Sequence, residues 1–136
     1  MCFFGEKTWE EREESDNRYS SEESSLFDVF NALIRYRDNL FLQLAYAREE
    51  KSELAEKLTC GALDATSAIL TECGVEILNQ NGRFDGNFQN IVSVEKTSDP
   101  EKNLCIISTN REGYRYHSRI IRAQDVTVYQ YTKKSE

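Results

Sequence analysis

The chain has little of what covalent and metal chemistry needs. Its 136 residues include one histidine, His117, and its four cysteines (Cys2, Cys60, Cys73 and Cys105) form no CxxC pair, so zinc-ligand spacing is missing. It has no glycine-rich phosphate loop, no nucleophile elbow and no spaced set of serine, histidine and acid. His117 falls in a short polar turn, where an exposed imidazole is expected rather than a general base. Asp85 follows Phe84 in a glycine-flanked turn and is expected to stabilise it. Neither an enzyme nor a cofactor or metal site is predicted. No apolar run approaches the roughly 20 residues of a membrane span. Met1-Cys2-Phe3-Phe4-Gly5 lacks the basic and apolar segments of a secretory leader. A cytoplasmic protein with reduced thiols and no membrane contact is the expectation.

Charge, by contrast, is plentiful: 24 acidic against 17 basic residues, a formal net charge of −7. Residues 1–25 hold eight of the acids and three of the bases and read as an acidic polar tail. Trp9 and Tyr19 stand out in it, and part of 6–19 could form a short helix. The run Ser20-Ser21-Glu22-Glu23-Ser24-Ser25 suits a linker ending in a helix cap at Ser25, with Asp28 in the first turn.

From Leu26 the apolar residues recur at helical spacing. Leu26, Phe30, Leu33, Leu40, Leu44 and Ala47 form one stripe, and Phe27, Ile34 and Phe41 an adjoining one. A polar connection at 48–53 contains the turn. Leu54, Leu58, Ala62, Ala65, Ile69 and Cys73 then mark a second helix, with Gly74 just past its end. Two such helices bury only half of their apolar surface on each other. A second copy of the hairpin would complete a four-helix bundle, so a homodimer is predicted. Its interface is assigned to Leu26, Phe30, Leu33, Leu40, Leu44, Leu58, Ala62, Ala65 and Ile69.

After Gly74 the helical period stops. Val75 and Ile77 lead into a turn-rich stretch, and strand-like runs follow at 91–97, 104–109, 114–116, 119–121 and 126–131. In the last run Val126, Val128 and Gln130 alternate with Thr127, Tyr129 and Tyr131, as in a half-buried strand. The fold class is therefore α+β. An acidic tail (1–25) precedes a helical hairpin (26–73), a small antiparallel β-domain (74–131) and a polar end (132–136).

Within the β-domain, Arg111, Arg115, Arg119 and Arg122 cluster around Tyr114 and Tyr116. They can be solvated strand residues, a reader of acidic protein surface through bidentate guanidinium contacts, or a single-stranded RNA site with stacking tyrosines. The acidic net charge disfavours nucleic acid.

Three stretches, in order, resemble one family. They are Leu26-Phe27-Asp28-Val29-Phe30-Asn31-Ala32-Leu33-Ile34-Arg35, then Cys73 to Leu78 with Gly82-Arg83-Phe84-Asp85-Gly86-Asn87-Phe88, then Glu112-Gly113-Tyr114 with Arg119 to Val128. Together they are similar to GrpE over about 26–130. The resemblance implies a cochaperone that binds the ATPase domain of a DnaK-type chaperone and accelerates ADP release. It implies partner contacts at Arg119, Arg122, Val128, Thr109 and Arg35. It also implies that Phe84, Asp85, Gly113 and Tyr114 shape the β-domain, with Phe84 and Asp85 anchoring it to the bundle. Gly86, Gln89, Gln124 and Asp125 depart from the family pattern, and the family's long amino-terminal stalk is expected to be missing. A non-exchanging dimeric adaptor and the RNA-binding module are the rival readings.

Overall fold

A computed structural model describes residues 21–133 as α1 (Ser21–Glu49), α2 (Glu53–Glu72), β1 (Val75–Leu78), β2 (Gln89–Thr97), β3 (Ile106–Arg111), β4 (Gly113–Tyr116), β5 (Arg119–Arg122) and β6 (Gln124–Tyr131). Helices precede sheets, which makes the class α+β. The expected short helix within 6–19 lies outside the described residues. The chain divides into two compact units, 1–63 and 64–136, with the division inside α2.

In the first unit α1 begins earlier than its sequence suggests. Glu22 and Glu23 occupy its first turn, where carboxylates offset the exposed N–H groups of the helix end. Ser25 therefore lies inside the helix, which corrects the expected cap there and the linker before it. The connection to α2 falls at residues 50–52, within the expected polar stretch. Lys51 takes a left-handed φ of 56°, and Ser52 Oγ accepts from the Ala55 N–H at 3.3 Å to cap α2.

Beyond this turn Leu40, Leu44 and Leu63 form a buried cluster with Cys60 and Ala62 against it. Arg48 pairs with Glu56 at 3.1 Å nearer the turn, and Arg37 reaches Leu63 farther from it. The partners recede in opposite directions along the two segments, so they run antiparallel. Arg37, only 2% exposed, sits within the apolar stripe. Its Nη1 donates to the Leu63 carbonyl at 2.9 Å, and its guanidinium lies 5.5 Å from the Phe41 ring centre. The stripe Phe30, Ile34, Arg37, Leu40, Leu44 keeps helical spacing through the charge, because the arginine stem packs like an aliphatic chain while its head is hydrogen-bonded.

In the second unit α2 ends as expected: Gly74 adopts φ +92°, a conformation that strains any residue with a Cβ. The strands form two three-stranded sheets, ordered β1-β4-β5 and β2-β6-β3. β2 pairs with β6 in parallel, which corrects the expectation of a purely antiparallel domain. Parallel neighbours require a long crossover, and here β3, β4 and β5 supply it. Val126, Thr127 and Val128 are all buried, so β6 is covered on both faces and the half-buried alternation does not hold. The chain passes between the sheets through single residues, Glu112 from β3 to β4 and Ala123 from β5 to β6.

Candidate partner-binding surface of the β unit

The arginine cluster is built on β4 and β5. Tyr114 faces Arg122 and Tyr116 faces Arg119 across the antiparallel pair. Tyr114 is fully buried, and its hydroxyl donates to Glu112 Oε1 at 3.3 Å. Arg122 lies over the Tyr114 ring at 5.2 Å, with Nε and Nη2 donating to the Glu112 carbonyl at 3.1 and 2.9 Å. Arg115 lies over the Phe88 ring at 5.7 Å and reaches Glu76 Oε1 at 2.7 Å. Arg111 meets Asp125 at 3.6 Å. Arg111, Arg115 and Arg122 thus hold acceptors in their own chain, which leaves less cation for a phosphate backbone than the sequence suggested. Ile120, missed in the sequence, stands 40% exposed between Arg119 and Arg122. Ile120 is paired across the ladder with Arg115, so an exposed apolar residue and a cation share this part of the sheet. His117 is exposed in the β4–β5 turn.

The remaining site residues separate. Val128 is 0% exposed, so its assignment as a contact is corrected: it is a core residue of the central strand. Thr109 is half-buried and its Oγ1 accepts from Gln124 Nε2 at 2.8 Å. Arg35 is exposed on α1, in the other compact unit. Asp85 shapes its turn as expected, its Oδ1 accepting from the Asn87 N–H at 2.9 Å. The Phe84 N–H donates to the Leu104 carbonyl at 2.8 Å. Gly113 is buried, and a Cβ there would collide with backbone atoms of Arg122, Ala123 and Gln124, so only glycine fits.

Of the assigned dimer seam, Phe30, Leu40 and Leu44 are already buried within the single chain, and Leu26, Leu33 and Ala62 are half-buried. Leu58 and Ile69 remain 66% and 47% exposed, and Ala65 is exposed too. Leu54, also exposed, extends this line along α2 at helical spacing. Among the described residues no group of three or more His, Cys, Asp or Glu could hold a metal ion, and no helix is long and apolar enough to cross a membrane.

The GrpE family model matches residues 7–130. That span is most of the chain, and the protein belongs to the GrpE family. No curated protein matches it at a significant level.

Proposed function

We propose that the chain is a dimeric nucleotide exchange factor, a cochaperone that binds the ATPase domain of a DnaK-type chaperone and speeds ADP release. The observation that carries this reading is the family match over 7–130. The β unit would make the contact, with Arg119 and Arg122 as polar anchors on β5. Arg35 on α1 and Thr109 on β3 are further contact positions. No covalent step is required. The factor accelerates exchange only as far as it binds the open nucleotide cleft better than the closed one, which is a shift in population.

The dimer is supported by the line Leu54, Leu58, Ala65 and Ile69, which leaves a stripe of apolar surface open on α2. Covering it with the same stripe of a second copy would complete a four-helix bundle. A cytoplasmic location is the proposal that goes with a soluble chaperone partner.

Pull-down with an ATPase domain tests the partner. The expected result is retention by the nucleotide-free or ADP-loaded domain and release on adding ATP; no retention in any state contradicts the proposal. Retention without any effect on ADP release would favour the adaptor reading.

A further inference from the structure

We infer that Gln89 and Gln124 form a rigid polar joint that fixes the β1–β2 loop to the β2-β6-β3 sheet at the crossing from β5 to β6 and so positions Arg122, next to that crossing, for a partner. The positioning of a partner contact rests on the proposed function; the joint itself does not.

Gln124 and Gln89 are 0% and 3% exposed, yet both amides are satisfied. Gln124 Nε2 donates to the Gln80 carbonyl at 3.0 Å and to Thr109 Oγ1 at 2.8 Å. Its Oε1 accepts from the Gln80 N–H at 3.1 Å and from Gln89 Nε2 at 3.0 Å. That uses both donors and both lone pairs of one side-chain amide. Gln89 Oε1 in turn accepts from the Asp85 N–H at 2.7 Å. One cluster therefore ties together the β1–β2 loop, β2, β3 and the start of β6.

The cluster lies where the chain crosses between the sheets. Gln124 follows the Ala123 crossing directly, and its N–H donates to the Phe88 carbonyl at 3.0 Å. Gly113, beside the Glu112 crossing, is pressed onto the backbone of Arg122, Ala123 and Gln124. Arg122 grips the carbonyl of Glu112 itself. The guanidinium is thus clamped to one crossing while the amides lock the other. A side chain held in this way loses little freedom on binding, which is how preorganisation raises affinity.

Gln89 and Gln124 meet side chain to side chain at 3.0 Å. Gln89 Nε2 also lies 3.5 Å from the Gln80 carbonyl, so both amides converge on Gln80.

The test uses the full chain with Gln124→Met, Gln89→Met, the double variant, and Thr127→Val as control. Thr127 is buried in the same strand and donates to Asn110 Oδ1 at 2.7 Å, outside the cluster. Two readouts are taken: exchange of the Arg122 Nε proton by NMR, and the factor concentration giving half-maximal ADP release from an ATPase domain. Gln124→Met is expected to speed Nε–H exchange roughly tenfold and to raise the half-maximal concentration about tenfold with the plateau rate retained. Thr127→Val should change neither, and the double variant should lose less stability than the two single losses added. Wild-type Nε exchange in Gln124→Met, an equal effect of Thr127→Val, or additive losses would each overturn the joint. Should Gln124→Met fail to fold, Gln89→Met keeps Gln124 bonded to Gln80 and Thr109; its Arg122 proton must still exchange faster, and unchanged exchange overturns the proposal. If even the unmodified protein leaves ADP release unaltered, the exchange reading fails while Nε exchange and the double-mutant cycle still decide the joint.

Discussion

The helical segment and the β segment are held together by different physics. Residues 21–73 carry ten acidic and five basic residues, while 74–133 carry seven and eight. In the helices, stability comes from an apolar stripe that recurs along the chain, with the charges other than Arg37 spread away from it. In the β unit, few side chains repeat at any period. There, order depends on a glycine with no room for a methyl group, a doubly covered central strand and a satisfied amide cluster. The first arrangement loses stability in proportion to buried area; the second fails at single points.

Four substitutions break or sharpen this contrast. The largest loss is expected for Phe30→Ala, which removes one of the largest buried side chains of α1 and should cost about 3–5 kcal/mol, read by denaturant unfolding at 222 nm. Next is Gly113→Ala, where one added methyl group should cost about 3 kcal/mol by forcing the backbone crossings apart. Its effect should be read from tyrosine fluorescence and strand amide exchange, and a cost under about 1 kcal/mol would break the single-point description of the β unit. Leu58→Glu should leave the hairpin within about 0.5 kcal/mol of wild type, because Leu58 is 66% exposed. The same change should weaken self-association at least about tenfold in analytical ultracentrifugation. Unaltered association would remove the α2 stripe from the interface. The smallest effect belongs to Glu56→Ala, which breaks the exposed Arg48–Glu56 pair and should cost about 0.5 kcal/mol or less, fading with added salt.

The same contrast explains what the sequence made legible. Both helices, the Gly74 stop and the class of fold follow from local periodicity, which survives in any short window. The helix start at Ser21 was hidden because serines favour caps, while Glu22 and Glu23 suit a first turn equally well. Arg37 was readable in principle, since it falls on the buried stripe, but its charge masks that position. In the β unit the strands were visible but their partners were not. Parallel pairing of β2 with β6 joins residues about 35 positions apart in register, such as Gln89 with Gln124. No local pattern encodes such a pairing. Thr127, buried opposite Val126 and Val128, illustrates the cost: alternation marks a face, but not whether a second layer covers it. The joint was visible only as two unrelated departures from the family pattern, Gln89 and Gln124, until the fold brought them into contact. Asp125 lies 3.6 Å from Arg111, a pairing that likewise appears only once the strands are in register. Nothing in the structure explains Gly86.

Stopped-flow release of labelled ADP from a DnaK-type ATPase tests the central claim most directly. The unmodified chain should accelerate release in a concentration-dependent, saturable way, and Arg119→Ala combined with Arg122→Ala should reduce that acceleration while the protein stays folded. Release at the intrinsic rate, however much of the folded chain is added, would contradict the account.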